Sequence, residues 1–85
     1  EWDVMAVVED CRDGFIYCEQ RNKFFKGDTL ESLEPGKKPQ SFVVTELFDE
    51  NGEPTDSTPR AMMKFKIRSD LKFVPGTILR KQNIK

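Results

Sequence analysis

The sequence predicts an all-β fold, a small closed antiparallel β-barrel of about six strands. Three observations carry this expectation. Short runs alternate apolar and polar residues with the period of a strand, and no stretch supports a helix of ordinary length. The five glycines are scattered along the chain, one to a turn. Finally, Phe25-Lys26-Gly27-Asp28-Thr29-Leu30 and Val74-Pro75-Gly76-Thr77-Ile78-Leu79 share one order of apolar residue, glycine, threonine and apolar residue. Both read as glycine corners that feed a strand into a curved sheet. At 85 residues the chain is a single domain, 1–85, with room for one modest core. Seven Phe, one Tyr and one Trp supply much of that core.

The first strand is expected over residues 2–9, with Trp2, Val4, Ala6 and Val8 inward, although Met5 and Val7 leave open a run covered on both faces. Asp10-Cys11-Arg12-Asp13-Gly14 is a turn, because Asp13-Gly14 is a hairpin signal. Phe15-Ile16-Tyr17-Cys18-Glu19 returns antiparallel, dense in aromatic and β-branched residues. Residues 20–28 form a basic aromatic corner. Gly27 lets the backbone turn sharply there, and the Asp28 carboxylate ties back to nearby N–H groups. The third strand runs over 29–33. Glu34-Pro35-Gly36-Lys37 suits a type II turn. The fourth strand spans 40–48, with Phe42, Val44 and Leu47 inward once a bulge shifts the register. Asn51-Gly52 centres the next turn, and the polar residues 55–59 read as an exposed loop. Residues 60–68 form the cleanest strand, with Met63, Phe65 and Ile67 on one face and Lys64, Lys66 and Arg68 on the other. Residues 73–80 close the domain.

Charge is unevenly spread. Residues 1–59 hold six Lys/Arg against fourteen Asp/Glu, whereas residues 60–85 hold eight Lys/Arg against Asp70 alone. Such asymmetry fits an anionic partner, or acidic and basic strands paired within one sheet; the second is the ordinary device. A third of the residues are charged and the longest uncharged apolar run is Val4–Val8, so no membrane span is expected.

The residues offer no catalytic apparatus. There is no His to act as base for Ser or Cys, and Cys11 or Cys18 beside a carboxylate would be disfavoured as a thiolate. Two Cys without His cannot complete a zinc site of N and S donors. Two reduced thiols in a cytoplasmic protein are expected, a single disulfide being the alternative. Asp49, Glu50, Glu53 and Asp56 surround a turn and lack the spacing of a calcium loop. The one pattern that suggests binding is basic. Lys64, Lys66 and Arg68, with Arg21, Lys23 and Lys26, could meet phosphates, while Phe24 and Phe25 stack on bases. Set against this is an ordinary solvated strand face, with both Phe plugging a barrel end.

Gln20-Arg21-Asn22-Lys23-Phe24 followed by Gly27-Asp28, Asp49-Glu50-Asn51-Gly52-Glu53-Pro54 before a basic strand, and Pro75-Gly76-Thr77-Ile78-Leu79-Arg80 together carry a resemblance. The chain resembles, from about Val4 to Arg80, the C-terminal domain of peptidase family U thirty-two, the collagenase-like peptidases. The resemblance implies a compact antiparallel barrel, like those of translation factors, attached to a larger catalytic domain. It also implies that catalytic and iron–sulfur residues lie in that other domain, so neither a cofactor nor a metal is expected here. Some members of the family are peptidases and others act in hydroxylating bases of RNA.

The expected role is therefore a non-catalytic accessory domain of a longer cytoplasmic protein. It would assist the binding of RNA or an extended protein substrate, with Arg21, Lys23, Lys26, Lys64, Lys66 and Arg68 as the contact residues. The alternatives are a module that docks on and stabilises the upstream catalytic domain, and one that binds peptides along an edge strand.

Overall fold

A computed structural model describes residues 2–58 and 63–82. Among them there is no helix. Eight strands follow in order: β1 (Trp2–Arg12), β2 (Phe15–Gln20), β3 (Thr29–Leu33), β4 (Gln40–Val43), β5 (Leu47–Phe48), β6 (Pro54–Thr55), β7 (Lys64–Arg68) and β8 (Ile78–Gln82). They form one antiparallel sheet in the order β4-β3-β8-β1-β2-β7-β5-β6, curled around a single core.

The closed six-stranded barrel is thus corrected to a curled, open eight-stranded sheet with β4 and β6 as its ends. The expected strand over 40–48 splits, because residues 44–46 are not strand: Val44 still bonds to Gly27 and Asp28, and the chain then crosses to β7, where Glu46 O accepts from Arg68 N before β5 starts. The supposed loop at 55–59 begins with β6, which pairs with β5 through Leu47 opposite Thr55 and Phe48 opposite Pro54. Two residues that open on a proline, which has no N–H, cannot extend a ladder further. The corner fills the gap instead. Lys26 N donates to Asp56 O at 2.8 Å and Thr58 N donates to Phe24 O at 3.0 Å, while Gly27 N donates to Val44 O at 2.7 Å. A single bridge, Phe25 to Ser57, completes the link.

Local chemistry explains the corner. Gly27 sits at φ +96°, a region that a Cβ disfavours. Asp28 Oδ2 accepts from Phe25 N at 2.8 Å, the expected tie of the turn. Phe24 is wholly buried and meets Phe65 edge-on at 5.2 Å between ring centres, whereas Phe25 is 48% exposed. Only one of the two aromatics plugs the end of the sheet. Thr58, also fully buried, donates its backbone N–H to Phe24 O, and its Oγ1 accepts from Phe24 N at 3.0 Å. Asp13 and Gly14 both have positive φ, 55° and 80°, which gives the β1–β2 hairpin the twist of its strands.

β1 departs from the expected face. Its register shifts between Val4 and Ala6 against β8, and between Val8 and Asp10 against β2. Met5 and Ala6 are therefore both buried, and Trp2 and Val4, expected inward, are 41% and 39% exposed. An extra residue on one strand turns every side chain beyond it to the other face. On β7 the alternation holds: Met63, Phe65 and Ile67 are buried, and Lys64, Lys66 and Arg68 face outward. The start of that expected strand, residues 60–62, lies outside the described residues. Residues 73–77 form the second corner rather than a strand, and Gly76 N donates to Val8 O at 2.8 Å just before β8.

Removing the Phe24 ring should cost about 3–5 kcal/mol, while Phe25→Ala should change stability by under about 1 kcal/mol. Urea unfolding of both variants checks this; equal losses would show that the end of the sheet is not held by Phe24.

Candidate functional site

The outward faces of β1, β2, β7 and β5 meet in one surface. Alternation along β2 buries Ile16, Cys18 and Gln20 and leaves Phe15, Tyr17 and Glu19 facing out. The β2–β7 register sets Phe15 opposite Arg68, Tyr17 opposite Lys66 and Glu19 opposite Lys64. Each cation of β7 thus has a fixed neighbour on the next strand.

At the centre is Lys66. Its Nζ lies 4.3 Å from the Phe15 ring centre, 5.6 Å from Tyr17 and 5.9 Å from Phe48. An ammonium over aromatic faces is held by their quadrupoles. Arg68 lies over Phe15 at 4.7 Å and Phe48 at 5.9 Å, and its Nε donates to Glu46 at 2.6 Å. Arg12 lies over Tyr17 at 4.0 Å and pairs with Asp10 at 2.8 Å. Phe15 meets Phe48 edge-on at 5.6 Å. Alternation and register combine to build this lattice of rings and cations.

The six cations expected to act together are only partly united. Lys64, Lys66 and Arg68 share the face. Arg21 joins it through Glu19, which accepts from the Arg21 guanidinium and also lies 3.2 Å from Lys64. Lys64 is held as well by Glu9 of β1. Lys26 borders a hollow of about 170 Å³ shared with Phe48 and Thr55. Lys23 stands apart, 5.3 Å from the ring centre of the exposed Phe25. Asp49 and Glu50 of the acidic turn line a smaller hollow with Tyr17, Lys64 and Lys66. Much of the basic strand is therefore compensated within the sheet. On the far side, Arg80 and Glu31 pair at 2.9 Å across β8 and β3, and Lys81 and Asp28 pair at 3.1 Å.

Sequence reasoning missed Phe15, Tyr17, Phe48 and Arg12 as members of this surface. The signal is present in β2, where alternation puts Phe15, Tyr17 and Glu19 on one face. Phe24, offered as a base-stacking ring, is buried and cannot serve.

Cys11 and Cys18 are free thiols. Burial pushes the Cys18 thiol well above its ordinary value, with smaller contributions from Cys11 and Glu9. Among the described residues no group of His, Cys, Asp and Glu could hold a metal ion, and no helix is long and apolar enough to cross a membrane.

Hydrogen bonds from Arg21, and then from Lys64, hold the Glu19 carboxyl below its ordinary value. Bonds to Glu9, and then Glu19, hold the Lys64 ammonium above its ordinary value. Glu19 thus stabilises the fold fully above the ordinary glutamate range, and this is lost as pH falls through its lowered value. Lys64 stabilises it fully below the ordinary lysine range, and this is lost as pH rises through its raised value. Thermal melts across pH should show Glu19→Gln with a flatter acid limb than the parent chain; an unchanged limb would remove Glu19 from the network. An alkylating reagent should modify Cys11 before Cys18 in the folded protein, as read by mass spectrometry of the peptides.

Three similarities bear on this architecture. The isolated C-terminal domain of a Geobacillus thermoleovorans protein classed as a U32 peptidase has the same fold. One crystal structure, a selenomethionine variant, superposes with a TM-score of 0.86 at 23% identity, over 93% of this chain and 99% of that one. A second gives 0.81 at 25% identity, over 94% and 93%. Among curated proteins, tRNA hydroxylation protein P1 of Bacillus subtilis is 28% identical over 78 residues, which is 92% of this chain but 18% of that protein. The chain therefore spans under one fifth of that relative's length. The pattern of the Peptidase family U32 C-terminal domain matches residues 1–80, and the chain belongs to that family.

Proposed function

We propose that this domain is a non-catalytic accessory module that helps hold RNA for the catalytic part of a longer cytoplasmic protein, using the outward face of β2, β7 and β5. The observation that carries this reading is the seat of Lys66. Among the described residues it has no carboxylate partner, and three aromatic rings hold it in place. Arg68 and Arg12 flank it, each spread over a ring. Guanidinium and aromatic planes are the groups on which unpaired bases stack, and a fixed ammonium meets a phosphate.

The carboxylates around the face do not forbid this. Exposed ion pairs contribute at most about 1 kcal/mol each. A polyanion that brings several phosphates can replace Glu46 on Arg68 or Glu9 on Lys64 at small cost. Contacts of this kind position a ligand without reading its sequence. The likeness to a tRNA hydroxylation protein supports RNA over other polyanions.

A second reading, docking against a neighbouring domain, is favoured by the exposed Trp2 and Val4 on the outer face of β1. Removing the domain from the longer protein separates the two. Unchanged RNA affinity with lost stability selects docking.

Transfer RNA should bind this chain with an affinity that falls steeply as salt rises, each phosphate contact contributing about 0.7–0.9 to the logarithmic slope. Lys66→Glu with Arg68→Glu should weaken binding at least about tenfold while the melting temperature stays within a few degrees. Fluorescence anisotropy checks both. No binding at low salt, by this chain or by the longer protein, would overturn the reading.

A further inference from the structure

β3 and β8 do not stay together. Their ladder runs from Leu33 opposite Ile78 to Glu31 opposite Arg80 and stops there, while β8 continues against β1 as far as Gln82 opposite Trp2. The start of β3 and the end of β8 therefore part, and a hollow of about 380 Å³ opens in the gap. Small-molecule sites have volumes of about 300–1,000 Å³. The walls come from the corner, β1, β3, β4 and β8, apart from the face around Lys66.

One wall is flat and the other is rich in acceptors. Trp2 forms the flat wall, and Arg80 fixes its indole by lying over the ring at 4.0 Å. Arg80 does not line the hollow, so the indole stays open to an occupant there. Glu31 and Asp28 line the other wall, each with a cation already in place. Arg80 donates through Nε, at 2.9 Å, and through Nη2 to one Glu31 oxygen, Oε1. Phe25 N, at 2.8 Å, and Lys81 Nζ, at 3.1 Å, both meet one Asp28 oxygen, Oδ2. Among the described residues the second oxygen of each carboxylate has no partner. Ser41, opposite Glu31 on β4, adds a hydroxyl.

These charges select the ligand. An incoming anion would meet two carboxylates, and an incoming cation would compete with Arg80 and Lys81. A neutral, flat group that donates N–H bonds uses the free oxygens and the indole together. Unpaired bases are held in this way, stacked on an aromatic ring and bonded along one edge. Guanine alone carries two adjacent donors, N1–H and N2–H, on that edge. Adenine and cytosine set one amino group beside an acceptor, and uracil sets one N–H between two acceptors.

We propose that the hollow is a guanine site, in which the base stacks on Trp2 and donates to Glu31, with the free Asp28 oxygen left for a ribose hydroxyl. The guanosine is an unpaired residue of RNA or a free nucleotide, since the base chemistry is the same. The site does not depend on the Lys66 face.

Trp2 is the only tryptophan, so its fluorescence reports on the site. Guanosine monophosphate should quench it and bind at least about fivefold more tightly than the adenosine, cytidine and uridine monophosphates, as a good bidentate base contact allows. The amide signals of Thr29, Ser41 and Gln82, all at the hollow, should shift in the same titration. Glu31→Gln sets a donor against the donors of the base and should abolish the preference. Ser41→Arg, at an exposed position, places a guanidinium opposite Glu31 and should abolish it too, which guards against a defect caused by losing the Glu31–Arg80 pair. Melting curves confirm that each variant folds. Lys66→Glu with Arg68→Glu should leave guanosine monophosphate binding unchanged, so failure of the RNA face and failure of this site are told apart. A short single-stranded RNA with one guanosine that binds more tightly than the monophosphate assigns the site to RNA, and equal affinity assigns it to free nucleotides; both uphold it. Equal quenching by all four nucleotides, no response at millimolar concentration, or a preference that survives both Glu31→Gln and Ser41→Arg overturns the proposal.

Discussion

The two ends of the curled sheet meet at the backbone of residues 24–28, and the rest of the architecture depends on that junction. On one side the segment continues the β3–β4 ladder through Gly27, Asp28 and Val44. On the other it bonds to residues 56–58 beyond β6. A curled sheet without this tie would expose the inner faces of β4 and β5. The tie holds because its donors and acceptors are spent locally. Asp28 takes the Phe25 N–H, the Thr58 hydroxyl takes the Phe24 N–H, and Gln20 Nε2 donates to Thr58 O at 3.0 Å. The Phe24 ring then covers the end of the core. Polar satisfaction and apolar burial act within the same few residues, and each makes the other possible.

Much of this was legible in the residues. The all-β class, the Asp13-Gly14 hairpin, the bounds of β3, the turn at Asp28 and the faces of β7 all follow from short-range rules. Those rules work where side-chain period and turn chemistry act on neighbours in sequence. They failed where a distant partner decided. The shifts in β1 are set by pairing with β8 on one side and β2 on the other, and no local pattern announces them. β6 exists because β5 lies beside it, not because Pro54 and Thr55 favour a strand. The choice between a closed barrel and an open sheet rests on what β4 and β6 can reach, which is a property of the assembled molecule.

The candidate surface divides in the same way. The cations of β7 could be read from alternation, but their partners could not. Charge that looks lopsided along the chain is largely balanced across it, by Glu19 and Glu9 on Lys64, Glu46 on Arg68 and Glu31 on Arg80. What distinguishes Lys66 is its setting among rings. That setting comes from β2 and β5, far from it in sequence. A basic strand is therefore a poor guide to a binding face until its neighbours are known.

The pairing of β1 with β8 carries a consequence for how the molecule comes into being. The central strand lies between the hairpin made with residues that follow it at once and a strand from the far end of the chain. During synthesis β1 and β2 can associate early, yet one flank of β1 stays unsatisfied until residues 78–82 emerge. Topologies that join distant ends in this manner acquire their native order late and slowly. Cutting the chain before residue 78 would leave an adhesive half-sheet, a natural client for chaperones rather than a smaller working domain.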